Sequence, residues 1–236
     1  MTYREKVLQV GENHSYAEGF NGLFSKYRIA EFAGVIKGGS VLEIGCGEGN
    51  ITKFLTERCD RVVAIEPSLR FYNVVCEKNR SPKLELHNVF AEDFETGETF
   101  DHIVASGVLE HVEDVGVFLA HTKKFMRKDS TFSLTVPNGE SLHRRIGLER
   151  GIISSLSELG PLDKKVGHFR YYQFETLRKD LEREFVVRDM RGIFLKPIPS
   201  EGMAWFKEEY YDALYEAGKY IPEFCAEIFA VCTVKE

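Results

Sequence analysis

The chain has 236 residues and carries 31 Lys and Arg against 37 Asp and Glu, a net charge of −6, whereas a nucleic-acid binder shows a basic surplus or stripe. Hydrophobic content of 43% and charged content of 29% are ordinary for a soluble globular protein, and the length suits a single domain over 1–236. The five cysteines form no CxxC pair, the N-terminus MTYREKVLQVGEN is too charged for a signal peptide, and no apolar run approaches membrane-spanning length, so the expectation is a cytoplasmic protein without disulfide framework or membrane span.

Residues 1–15 show no clear period. From Tyr16 to Ile36, Phe20, Leu23, Phe24, Tyr27 and Phe32 recur at three- and four-residue steps, which predicts an amphipathic helix within an N-terminal helical cap over 1–37. Val41, Leu42 and Ile44 then read as a buried strand, broken by Gly45, Gly47 and Gly49, with a helix over ITKFLTERC. RVVAIE predicts a second strand, and Ser68 an N-cap for a helix to about Asn79. KLELHNV alternates as a third strand should, FDHIVAS is a fourth, VGVFLAHTKKFMR a helix and TFSLTVPN a fifth strand. The periodicity lapses over 138–172, which reads as an insertion, or lid, over the active-site mouth. QFETLRKDLERE is a charged helix, FVVRDMRGIF a sixth strand, 203–219 a helix and CAEIFAVCTV a last strand. Strands alternating with helices give a parallel sheet whose ligands collect at the carboxyl ends of the strands. That rule places Gly45, Glu66, Ala91, Ser106 and Pro137 along one rim.

Strand, glycine turn and helix present backbone N–H groups and a helix N-terminus to a nucleotide-like ligand. Glu66, 21 residues after Gly45, stands where a carboxylate can accept from ribose hydroxyls. Asn50 occupies the place of the third glycine of the dinucleotide fingerprint, which disfavours a nicotinamide-dependent dehydrogenase. Glu43-x-Gly45-x-Gly47-x-Gly49 resembles the first motif of class I S-adenosylmethionine (SAM) methyltransferases, of the small-molecule kind similar to types 11 and 12. Glu66 resembles their ribose-binding acid. The resemblance implies a Rossmann-like seven-stranded sheet with the last strand antiparallel, SAM as cofactor and S-adenosylhomocysteine as product. It further implies cofactor contacts from Tyr16, Glu43, Gly45, Cys46, Gly47, Asn50, Ile51, Glu66, Pro67, Ala91, Glu92 and Ser106. Phe90 stands where the family often has an Asp before the alanine, so Ala91 backbone and Glu92 or Asp93 are the nearest substitutes.

Methyl transfer from a sulfonium is an in-line displacement with a neutral leaving group, so alignment of the acceptor carries much of the catalysis. A hydroxyl acceptor must also lose a proton, and histidine suits that task. His111 in LEHV and His168 in GHFRYY are the catalytic candidates. Arg170, Tyr171 and Asn138 are expected to face a small-molecule acceptor. The insert carries six basic residues against four acids, which suggests an anionic acceptor: phosphorylated, carboxylated or a nucleotide-sugar. An Asp/Asn-Pro-Pro-Tyr motif is absent after the fourth strand, where Ser106-Gly107-Val108-Leu109 stands, so O-methylation is favoured over N-methylation. No HExxH and no clustered Cys/His set is present, so no metal site is expected. The rival from another class is a SAM-binding regulatory or assembly protein without catalysis.

Overall fold

The computed structural model describes residues 3–13 and 19–235; Tyr16 lies outside them. The apolar runs form strands β1 (Ser40–Ile44), β2 (Arg61–Ile65), β3 (Leu84–His87), β4 (Phe100–Ser106), β5 (Met126–Pro137), β6 (Phe185–Ile193) and β7 (Glu227–Val234). The helices are α1 (Tyr3–Asn13), α2 (Gly19–Val35), α3 (Asn50–Arg58), α4 (Leu69–Lys78), α5 (Val115–Lys123), α6 (Leu142–Glu149), α7 (Pro161–Lys165), α8 (Phe174–Leu181), α9 (Ser200–Met203) and α10 (Glu208–Gly218). One seven-stranded sheet runs β3-β2-β1-β4-β5-β7-β6. The first five strands pair in parallel, and β7 is antiparallel to both of its neighbours.

Successive side chains leave opposite faces of a strand. Leu42, Ile44, Val63, Ile65, Ile103 and Ala105 therefore enter one core, closed by Phe118 and Leu119 of α5 and Leu177 and Leu181 of α8. Val41, Val62 and Val104 enter the other, closed by Phe24 and Phe32 of α2, Leu55 of α3 and Tyr211 of α10. Burial on both faces is why the inner strands read as unbroken apolar runs. Ser68 caps α4 as expected, its hydroxyl accepting the Phe71 N–H at 3.4 Å.

The helix expected over 173–184 ends at Leu181, and two others differ more. The helix over 115–127 stops at Lys123, because Phe125 and Met126 are buried and turn into the sheet, Phe100 N–H donating to Phe125 O at 2.9 Å. The helix expected over 203–219 is broken, and only α9 and α10 form there. Met203 and Tyr211 are both buried, with the Tyr211 hydroxyl donating to Met203 O at 2.6 Å. A straight helix would set those positions about 80° apart; the break lets both face inward while Trp205 stays 89% exposed. The expected insertion contains α6 and α7. Among the described residues no helix is long and apolar enough to cross a membrane.

Candidate active site

The β1–α3 turn carries Gly45 at φ 72° and Gly47 at φ 54°, a region that favours glycine. Their surroundings differ. A Cβ on Gly45 would lie 2.9 Å from Val108 Cγ2, whereas one on Gly47 would meet nothing within 4 Å. Gly45 lets β1 and the turn after β4 pack closely; Gly47 opens onto a cavity. Glu66, at the end of β2, ties this turn to the next: its carboxylate accepts from Gly47 N–H and Ser68 N–H, both at 2.9 Å.

The cavity, about 580 Å³, lies at the carboxyl ends of the parallel strands, and Gly45, Glu66, Ala91, Ser106 and Pro137 all line it. Every described residue of the expected cofactor set lines it as well. Glu66 is only 5% exposed, a buried staple between the two turns. Each of its oxygens still has a second lone pair free for a ribose hydroxyl. Burial pushes the Glu66 carboxyl up to about 7 and does the same to Glu43. Glu43 is 2% exposed and its Oε2 has no hydrogen-bond partner. A buried carboxylate without a counter-charge beside an open glycine cradle suits a ligand that is cationic at its amino-acid end, and SAM carries both an ammonium and a sulfonium. The residues fit the group. Phe90 also lines this side, with the Arg4 guanidinium of α1 4.7 Å from its ring centroid. Arg4 makes a bidentate pair with Asp93 at 2.6 and 2.7 Å.

The other end of the cavity is built by two segments far apart in sequence. Glu110 O accepts the Phe169 N–H at 2.8 Å, and the Arg170 guanidinium donates to the carbonyls of Leu109, Val112 and Glu113. This staple sets His111 and His168 edge to face, ring centroids 4.7 Å apart. Burial, reinforced by His168, pushes the His111 imidazole down to about 3. Asp163 accepts the Tyr171 hydroxyl at 2.8 Å and lies 3.1 Å from His168 Nδ1. Burial opposes its charge, but the neighbouring His168 and the Tyr171 hydroxyl prevail and hold its carboxyl below the usual value.

Three acceptor-side expectations need correcting. Arg170 does not line the cavity; its guanidinium is spent on backbone carbonyls. Asn138 does line it, but its amide donates to Glu223 O and Cys225 O and accepts Glu140 N–H, which makes it a structural clamp. Among the described residues, none of the insert's six basic side chains lines the cavity. Arg144 reaches the carbonyls of Gly139, Leu156 and Glu158, stacking 3.8 Å over Tyr171, and Arg145 pairs with Glu140. Conversely, Glu110, Arg28, His143, Lys196 and Glu227 line the cavity without having been singled out. Glu110 had a signal, as the acid beside His111 in LEHV; Arg28, Lys196 and Glu227 had none, since only folding brings α2, the β6–α9 link and β7 together.

A parallel sheet closed by an antiparallel final strand, with a glycine turn and a ribose-type acid at its rim, defines the class I SAM-dependent methyltransferase fold. The chain belongs to the methyltransferase-domain family, whose profile matches residues 23–184. It is 33% identical over 104 residues to the ubiquinone biosynthesis O-methyltransferase of Rhodopseudomonas palustris, covering 42% of this chain and 40% of that enzyme. It is 31% identical over 107 residues to the (S)-tetrahydroprotoberberine N-methyltransferase of Eschscholzia californica, covering 42% of this chain and 30% of the relative. Thus the chain spans well under half the length of these curated relatives. Among solved structures, the N-methyltransferase NodS of Bradyrhizobium japonicum WM9 in complex with S-adenosylhomocysteine superposes over the whole of both chains with TM-score 0.64 at 15% identity, a likeness of fold.

Proposed function

We propose that the protein transfers the methyl group of SAM to a hydroxyl of a small molecule. The observation that carries this reading is one continuous cavity with the glycine cradle at one end and the His111–His168 pair at the other. When bound, SAM supplies an electrophilic methyl on a sulfonium. Gly47 leaves room for it, Glu66 offers lone pairs to its ribose, and Glu43 offers charge to its cationic end. At the far end, a neutral His111 helps hold the acceptor hydroxyl in line, and His168, with Asp163 beside it, receives its proton. Orientation by a carboxylate behind the imidazole is how such bases keep one tautomer.

The acceptor side is lined by four acids (Glu110, Asp163, Glu201, Glu227) and two cations (Arg28, Lys196), and Arg28 is already paired with Glu227. A neutral acceptor fits this charge better than the anion suggested by the insert. The same acids favour one second reading, N-methylation of an amine, in line with the relative named for that reaction. All five cysteines are free thiols, which supports a reducing, cytoplasmic setting.

The test is incubation of the protein with SAM and a fractionated metabolite extract, followed by mass spectrometry for a methylated product. A product whose methyl is on oxygen supports the proposal, and one on nitrogen selects the second reading. SAM binding with no product in any fraction would favour a non-catalytic SAM-binding protein.

A further inference from the structure

We infer that Glu110, His111 and His168 form a site for a divalent transition-metal ion at the acceptor end of the cavity. What the ion would do there rests on the methyltransferase reading above; where it binds does not. One ligand atom from each residue lies within 4.8 Å of the other two, and all three residues line the cavity. Glu110 is 3% exposed, and its Oε2 has no hydrogen-bond partner. A carboxylate oxygen buried in that way is costly until a proton or a cation reaches it.

The His168 imidazole has a carboxylate behind it. His168 Nδ1 faces Asp163 Oδ1 at 3.1 Å, which leaves Nε2 for the ion. Asp163 is itself fixed by the Tyr171 hydroxyl and the Gly160 N–H, each at 2.8 Å. The His111 ring lies against the backbone of Val166 and Gly167. A carboxylate or carbonyl behind each ligating histidine fixes its tautomer and direction. The rings meet edge to face at 76°, so their nitrogens can converge on one point.

Metal–ligand bonds of about 2.0–2.2 Å require the three atoms to draw closer, a movement left to the Glu110 carboxylate, whose Oε2 is unbonded. Two imidazoles and one carboxylate select ions such as Zn²⁺, Co²⁺ or Fe²⁺ over Mg²⁺ and Ca²⁺. Three protein ligands leave positions open towards the cavity. With the ion in place the two imidazoles would be ligands and not bases; an acceptor hydroxyl bound to the ion would instead lose its proton to solvent more readily, and the resulting oxygen would be fixed for attack on the methyl carbon. The sequence expectation of no metal followed from the lack of a spacing motif; here the third ligand arrives from the insert.

Chelator-treated protein titrated with CoCl₂, then ZnCl₂, tests the site. The expected result is one Co²⁺ per chain with visible d–d bands that Zn²⁺ abolishes. Glu110→Gln and His168→Gln should each weaken Co²⁺ by more than about 100-fold, and Asp163→Asn, a change behind the ligand, by about 10–100-fold. In the same samples, S-adenosylhomocysteine should raise the unfolding temperature of wild type and variants alike. Wild type without d–d bands, or variants that bind Co²⁺ as wild type does, would overturn the site. Stoichiometric Co²⁺ with no S-adenosylhomocysteine shift would uphold the site and sink the methyltransferase reading instead.

Discussion

Gly45 and Gly47 stand two positions apart, yet a methyl group added to each meets different matter: Val108 at one and empty cavity at the other. Gly45→Ala should therefore cost stability, by about 1–3 kcal/mol from the left-handed backbone and the clash, with cofactor affinity falling as a consequence of the loosened turn. Gly47→Asn keeps the left-handed backbone at little cost and fills the cradle. It should lose cofactor binding at least tenfold while the thermal midpoint barely moves. Calorimetric titration beside thermal unfolding separates the two, and equal effects on both quantities in both variants would contradict the assignment. Glu43 gives a pH signature. Its folded pKa, about 7, lies above the ordinary carboxylate value, so its contribution to stability is full below about pH 4.5 and is lost as pH rises through 7. Glu43→Gln should then gain on wild type across that window, by on the order of 3 kcal/mol at pH 8. Denaturant melts at pH 5 and pH 8 check it, and parallel curves would refute it. A cationic cofactor would charge Glu43, so its binding near pH 7 should release about half a proton in wild type and none from this site in Glu43→Gln. Titrations in buffers of different ionisation enthalpy measure that proton.

Between elements, the staple from Arg170 to the 109–113 turn joins the insert to the end of β4. Its three carbonyl partners predict that Arg170→Ala loses about 1.5–3 kcal/mol and spreads His111 from His168. Arg170→Lys, with one point charge instead of a planar fork, recovers only part. Thermal unfolding tests this, and an unchanged midpoint for Arg170→Ala would show the staple to be idle. The bidentate Arg4–Asp93 pair ties α1 to the turn after β3, with Val7 of α1 lining the cavity. Both side chains are nearly half exposed, so the pair is worth roughly 0–1 kcal/mol and weakens with salt. Asp93→Asn and high salt should each speed cofactor release in stopped-flow measurements without moving the unfolding temperature. What was legible in the sequence follows from these elements. The rim from Gly45 to Pro137 could be read because strand and helix periods alternate there and the sheet rule assigns its ends. The fate of Arg170 could not, since a guanidinium that caps carbonyls and one that clamps an anion are the same letters. Glu66 was found by spacing, but its burial depends on Gly47 and Ser68 turning their N–H groups towards it, which spacing does not encode. The acceptor end was half legible. His111 and His168 stood out as titratable groups, while their contact required the aperiodic insert to fold back.

At the scale of the molecule, the cavity is bounded by α1, α2, the glycine turn, the insert and the link from β6 to α9, so a ligand there holds most of the fold together. SAM or S-adenosylhomocysteine at about 100 times its dissociation constant should add about 2.7 kcal/mol, a rise of roughly 5–10 °C for a chain of this size. NAD should give no shift, and a shift with NAD alone would reject the cofactor. The position of β7 carries a different consequence. It is made last of the seven strands, yet it lies inside the sheet, hydrogen-bonded on one side to β5 and on the other to β6. On a ribosome adding about 5–20 residues per second, the stretch from Phe194 to Ala226 takes roughly two to seven seconds to make. Throughout that interval β5 has a bare edge and β6 has no place to dock. The nascent chain thus spends seconds with two sticky strand edges on display, the window in which a chaperone, or a neighbouring nascent copy, has its chance to bind.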